Sequence, residues 1–164
     1  ENAHAEVADV QTVGYAFEPQ EKINLIRPVT ALRGFDEQGC GGFSCPRGYR
    51  LHRANDYACR PKQDVFASAS GKVVKVGWSK LGFQDLRYVR VQVDADLMYE
   101  THYLNQVQLK VGDDIKTGDV IGVCADLSLV YPTARGMKNH VHQVVRYKGE
   151  RVDAENHPKI LMSF

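Results

Sequence analysis

Residues 87–93 constrain the fold more than any other stretch of the chain. Val89, Val91 and Val93 alternate with Tyr88, Arg90 and Gln92, and a period of two places each set on its own face of an extended strand. After the turn Asp94-Ala95-Asp96, residues 97–104 are expected to return antiparallel. Upstream, Val65-Phe66-Ala67-Ser68 and then residues 71–78 read as a strand, a turn and a second strand. Downstream, residues 120–124 and 140–146 complete the set. Helix periodicity is scarce after residue 34, and no internal repeat or low-complexity segment interrupts the pattern. The fold class that follows is mainly β.

The 164 residues fit one domain with a sizeable core, and 43% hydrophobic with 25% charged residues is ordinary globular composition. A net charge of +1, from 21 basic and 20 acidic side chains without a run of either sign, favours neither nucleic acid nor a membrane surface. No apolar stretch approaches the roughly 20 residues that span a bilayer. The chain begins at Glu1 rather than Met, as a processed or excised piece would. Residues 1–33 differ from the rest, with polar stretches such as Glu18-Pro19-Gln20-Glu21-Lys22 and one short candidate strand at 23–28. They are expected to form an N-terminal extension packed on a domain spanning residues 34–164.

Cys40, Cys45, Cys59 and Cys124 are an even set in a short chain, which suits one or two disulfides in a secreted or periplasmic protein. Cys40 and Cys45 flank a Gly-rich loop and could close a local bridge, although four cysteines allow three connectivities. Buried free thiols are the plainer alternative. A thiolate zinc site is weakly supported, because no C-x2-C pair is present.

His140 and His142 lie one residue apart in a strand-like run, so both imidazoles point to one face while Val141, Gln143 and Val145 point to the other. Alone, such a pair reads first as two polar residues on a solvated sheet face, ahead of a metal or catalytic pair. His52 and Asp56 form an H-x3-D pair in the loop after the Gly/Cys-rich segment. Two imidazoles and one carboxylate are a catalytic zinc set that leaves the fourth position open. A hydrolase also needs a proton acceptor and an oxyanion donor. If His142 is the ligand, His140 remains on the same face for that work.

These residues, in this order, resemble the lysostaphin/LytM-type zinc metallopeptidases. The resemblance covers residues 34–146 and rests on His52-x3-Asp56, Ala58, Val65-x-Ala67, the strand from Gly71 to Gly77, Val111-Gly112, Gly118, Ile121-Gly122 and His140-Val141-His142. It implies a compact antiparallel β-sheet core with a substrate groove, Zn2+ held by His52, Asp56 and His142, and peptide stems or crosslinks of bacterial peptidoglycan as substrate. Closer similarity is to the leukocyte cell-derived chemotaxin branch, through Cys40-Gly41, His52, Asp56, Cys59 and Val130-Tyr131-Pro132. That branch implies a zinc-containing binding module with little or no catalysis.

The chain departs from the peptidase pattern at Ala54, where glycine is usual, and at Lys62-Gln63-Asp64, which replaces Gly-Thr-Pro. The third departure bears on catalysis. Counted back from Leu104 and Val111-Gly112, the catalytic histidine slot holds Tyr103, and His102 in a regular strand would face away from the groove unless a one-residue bulge returned it. Two readings stay open. In one, His140 is the base and Tyr103 or His102 stabilises the oxyanion; in the other, the domain binds zinc and a partner without cutting. Of the remaining residues, His4 and His157 read as solvated. Trp78, Phe83 and Tyr131 could line the groove or pack loops, and Asn139 could orient a ligand or end the loop before the HxH strand.

Overall fold

The computed structural model describes residues 21–164. The candidate His4 and the first 20 residues of the expected extension lie outside the described residues. In chain order the strands are β1 (Ile23–Ile26), β2 (Ala31–Leu32), β3 (Phe35–Asp36), β4 (Gly39–Cys40), β5 (Pro46–Arg47), β6 (Arg50–Leu51), β7 (Asn55–Ala58), β8 (Asp64–Phe66), β9 (Gly71–Trp78), β10 (Arg87–Gln92), β11 (Leu97–Asn105), β12 (Asp114–Ile115), β13 (Val120–Cys124), β14 (His140–Tyr147), β15 (Glu150–Arg151) and β16 (Ile160–Ser163). One short helix, α1 (Leu127–Val130), separates β13 from β14.

A ten-stranded sheet runs in the order β12-β9-β10-β11-β14-β7-β2, with β13 joining β11 to β8 and β15 attached to β14. Its pairings are antiparallel. The alternating stretch is β10, near the middle of this sheet, and residues 97–104 return beside it as β11. Strands β8 and β9 follow each other in sequence but do not pair: β8 bonds to β13, while β9 bonds to β10 and β12. β1 pairs parallel with β16 and buries Leu25, and β2 edges β7.

Alternation sorts the central strands into two faces. Tyr57, Val89, Val91, Tyr99, Thr101, Val141 and Val145 all fall on one side and are buried in the core. The opposite side carries Asp56, Glu100, His102, His140 and His142, because His142 stands across from Asp56 on β7 and from His102 on β11. Gln143, on the core face beside the two histidines, donates to Ser68 Oγ at 2.8 Å and to Thr101 Oγ1 at 3.2 Å. The four cysteines form two disulfides. Cys40–Cys45 closes a loop of sequence separation 5, and Cys59–Cys124 joins the end of β7 to the end of β13 across a separation of 65.

Candidate metal centre and groove

His52 follows a loop that its own backbone clamps. Ser44 N donates to His52 O at 2.6 Å, and His52 N donates to Cys45 O at 2.7 Å. The Cys40–Cys45 bridge shortens that loop, and the His52 side chain closes it: Nδ1 lies 3.0 Å from Gly42 O and donates to it. The other nitrogen, Nε2, is thereby left with its lone pair facing inward, the arrangement a metal-binding histidine requires. Gly41 is there for space. A Cβ added to it would come within 2.7 Å of Arg33 Cβ and 2.9 Å of Asp56 Cβ.

Asp56 is the second residue of β7, directly opposite His142 on β14. Its two oxygens are divided between tasks. Oδ1 lies 3.0 Å from His142 Nδ1 and 3.5 Å from His52 Nε2, and His52 Nε2 lies 3.2 Å from His142 Nδ1. Oδ2 accepts from Arg33 Nη1 at 3.0 Å and faces His140 Nε2 at 3.6 Å. Burial alone would push the Asp56 carboxyl up, but the His142 hydrogen bond and the surrounding imidazoles hold it at about 2. Burial also pushes His52 and His140 below the ordinary imidazole value, against the pull of Asp56. Both are therefore neutral near pH 7, the state in which an imidazole binds metal or takes a proton.

Three donor atoms thus face one another at 3.0–3.5 Å. Donors held roughly 2.0–2.2 Å from one tetrahedral zinc stand about 3.3 Å apart. The donor set of His52, Asp56 and His142 fits such an ion in spacing and in chemistry, and these are the residues whose ligand atoms gather within a metal's reach among the described residues.

The β11 strand is not regular where it passes the site. Arg87 stands opposite Leu104 and Tyr88 opposite His102, so Tyr103 is an unmatched extra residue with φ +71°. This one-residue bulge corrects the simple expectation of opposite faces. His102 lies on the histidine side, its ring 5.6 Å from that of His142, while Tyr103 is the one of the two that lines the groove. The Tyr103 ring packs 5.7 Å from His140 and 6.1 Å from His142. Burial and the Tyr131 hydroxyl raise the Tyr103 phenol well above its ordinary value, so it keeps its proton. His102 is held at both nitrogens, by Glu100 Oε1 at 3.0 Å and Ser79 Oγ at 3.3 Å, and stacks on Tyr88 at 4.4 Å.

A groove of about 550 Å³ opens over these residues. Tyr131 lines it, whereas Trp78 stands 61% exposed away from it and Phe83 packs in a small cluster with Leu86, Leu127 and Val130. Asn139 ties loops together: its side chain accepts from Leu127 N and donates to Cys59 O and Ala125 O. His157 packs on Tyr147. The sequence reading overlooked Arg33, which is buried between Asp56 and Asp36 with donors 2.8–3.0 Å from both carboxylates. Its i, i+3 spacing to Asp36 was the available signal. Glu100 was overlooked too. Burial pushes its carboxyl up, yet the hydrogen bonds from His102 and Arg90 bring it to about 2.

Comparison with known proteins identifies the family and the fold. The sequence profile of peptidase family M23 matches residues 50–154. Leukocyte cell-derived chemotaxin-2 of Mus musculus is 29% identical over 127 residues, which cover 76% of this chain and 79% of that protein. A zinc-containing peptidase from Vibrio cholerae superposes with a TM-score of 0.57 at 20% identity over 77% of this chain, and the chain spans only 40% of that protein's length. The catalytic domain of the prophage-encoded M23 protein EnpA from Enterococcus faecalis superposes with a TM-score of 0.54 at 20% identity, covering 87% of this chain and 98% of that domain. At such identities the structural likeness establishes the fold. The profile, which spans the H-x3-D pair, the bulged strand and the HxH strand, establishes the family: this chain belongs to peptidase family M23.

Proposed function

We propose that the protein is a secreted or periplasmic zinc metalloendopeptidase that hydrolyses peptide crosslinks of bacterial peptidoglycan. The observation that carries this reading is the convergence of His52 Nε2, Asp56 Oδ1 and His142 Nδ1 at 3.0–3.5 Å on the floor of a groove that His140 and Tyr103 also line. A zinc ion held there supplies Lewis acidity toward a peptide carbonyl and activates water as the nucleophile. The chain's own residues do the rest. His140 donates Nδ1–H to Lys138 O at 2.8 Å, which leaves the Nε2 lone pair to take a proton. Asp56 Oδ2, 3.6 Å away, stabilises the imidazolium so formed. Tyr103, kept protonated, donates its O–H to the developing oxyanion. We assign this role to Tyr103 rather than His102, since Tyr103 lines the groove, whereas His102 does not and is engaged at both nitrogens by Glu100 and Ser79. The two disulfides support a location outside the reducing cytoplasm.

The test is to incubate purified protein with peptidoglycan and measure newly freed amines. Release that needs zinc, stops on chelation and is lost in Asp56→Ala is expected. A second reading, a zinc-containing binding module of the chemotaxin type, is favoured by tyrosine in the histidine slot. No amine release from any crosslink type, with zinc bound one to one, would decide for it.

A further inference from the structure

Charge in the groove is unlike charge in the chain as a whole. The net charge is only +1, yet Arg33, Arg47, Arg50, Arg53 and Arg151 all line the groove, with Asp56 as its one acidic residue. Two of these arginines are already employed. Arg33 is neutralised by Asp36 and Asp56, and Arg47 donates to Cys40 O, Pro46 O and Cys45 Sγ. Arg50 and Arg53 are exposed and make no side-chain ion pair among the described residues, and neither does the half-buried Arg151. Glu100 exerts an opposing pull on Arg151 but makes no direct ion pair with it, its oxygens being engaged by Arg90 and His102. Burial, then the like charges of Arg146 and Arg53, lower the Arg151 guanidinium from its ordinary value against that pull of Glu100. Arg146 stands directly across from Arg151 in the β14–β15 pairing, which adds a fixed positive neighbour.

We propose that Arg50, Arg53 and Arg151 form a carboxylate-binding subsite, so that the groove takes a peptide bearing a free carboxylate beside the bond presented to His52, Asp56 and His142. The class of ligand rests on the peptidase reading above: the anionic group of a peptide is a carboxylate, and a guanidinium fork matches it with two parallel hydrogen bonds. A peptide offers that group in two places, at its C-terminus or on an acidic side chain. The subsite is a determinant of specificity and takes no part in the bond-breaking step.

Calorimetric titration of three unlabelled glycine-rich pentapeptides tests this: a fully uncharged amide, the same peptide with one internal Glu, and the same peptide with a free C-terminal carboxylate. The amide is expected to bind about tenfold more weakly than at least one carboxylate peptide at low salt, and which of the two binds tighter identifies the source. The preference should persist in metal-free protein and vanish in Arg50→Gln/Arg53→Gln and in Arg151→Gln. The first pair is exposed, so its variant tests binding without disturbing the core. Equal affinity for all three peptides overturns the proposal, as does a preference that the variants retain. A preference seen only with zinc bound overturns it too, because the metal then holds the carboxylate. Tight heparin binding without discrimination among the peptides also overturns it and marks a polyanion surface. A carboxylate preference without any amine release supports the subsite and counts against the peptidase reading alone.

Discussion

At the residue scale, two side chains carry consequences out of proportion to their size. Tyr103 is a neutral O–H donor whose ring packs 5.7 Å from that of the proposed base, and it lines the groove with a backbone φ of +71°. Tyr103→Phe keeps the ring packing against His140 and His142 and deletes the donor alone, so kcat for amine release should fall about 10²-fold, the usual cost of one oxyanion donor. An unchanged kcat would remove Tyr103 from the mechanism. Arg33 organises the other side of the site, and its partner Asp36 makes stability depend on pH. The Arg33 hydrogen bonds, helped by backbone donors from Lys138 and Gln38, hold the Asp36 carboxyl well below its ordinary value. A folded-state value lowered in this way contributes stability that is whole above the unfolded carboxyl value of about 3.9 and is lost as pH falls below it. Urea midpoints between pH 7 and pH 3 should therefore drop on the acid side. Asp36→Asn should be less stable at pH 7 and show a shallower acid decline; the same slope in both proteins would assign the acid sensitivity elsewhere.

At the scale of elements, the two disulfides act on different things. Cys59–Cys124 ties β7 to β13 across 65 residues, and loop-closure entropy for that length is worth about 4 kcal/mol, against about 2 kcal/mol for a five-residue closure. Replacing Cys59 and Cys124 by Ala should accordingly cost more in a urea titration than replacing Cys40 and Cys45. Zinc affinity should rank the other way, because the Cys40–Cys45 loop carries Gly42 O, the acceptor that orients His52, and loss of such an outer partner costs about 10–100-fold in metal affinity. Titration of each double variant with a competing chelator reads that ranking directly. The bulge in β11 is the second element-scale device. It places two consecutive side chains, His102 and Tyr103, on the histidine side of one strand, which a regular pleat forbids.

At the scale of the whole molecule, the ligands come from separate pieces of chain: His52 from a disulfide-braced loop, Asp56 from β7 and His142 from β14. An ion bound to all three joins these pieces in the folded state only. Saturating zinc should raise stability by about 2.7 kcal/mol at a hundredfold excess over Kd, and chelation should lower Tm by the corresponding amount. Thermal melts with and without chelator, repeated on Asp56→Ala, check this. A chelator effect that survives in Asp56→Ala would place the ion elsewhere.

Much of this architecture is legible along the chain. The two-residue period of 87–93 determines a half-buried strand, and it became the central strand β10 with Val89 and Val91 fully buried. The one-residue gap between His140 and His142 determines that both imidazoles share a face, and the H-x3-D pair supplies the chemistry of a metal set. These are local properties, fixed by backbone geometry and donor type. What tertiary structure decided is register and neighbourhood. That His142 stands opposite Asp56, 86 residues away, follows from the packing of a whole sheet. The bulge at Tyr103 leaves no mark in sequence, because a tyrosine at positive φ is held there by its surroundings and not by its own preference. The arginine groove is only partly legible: Arg47, Arg50 and Arg53 stand three residues apart in the sequence, but that Arg33 and Arg151 line the same groove follows from the fold, since composition averages charge and only folding segregates it.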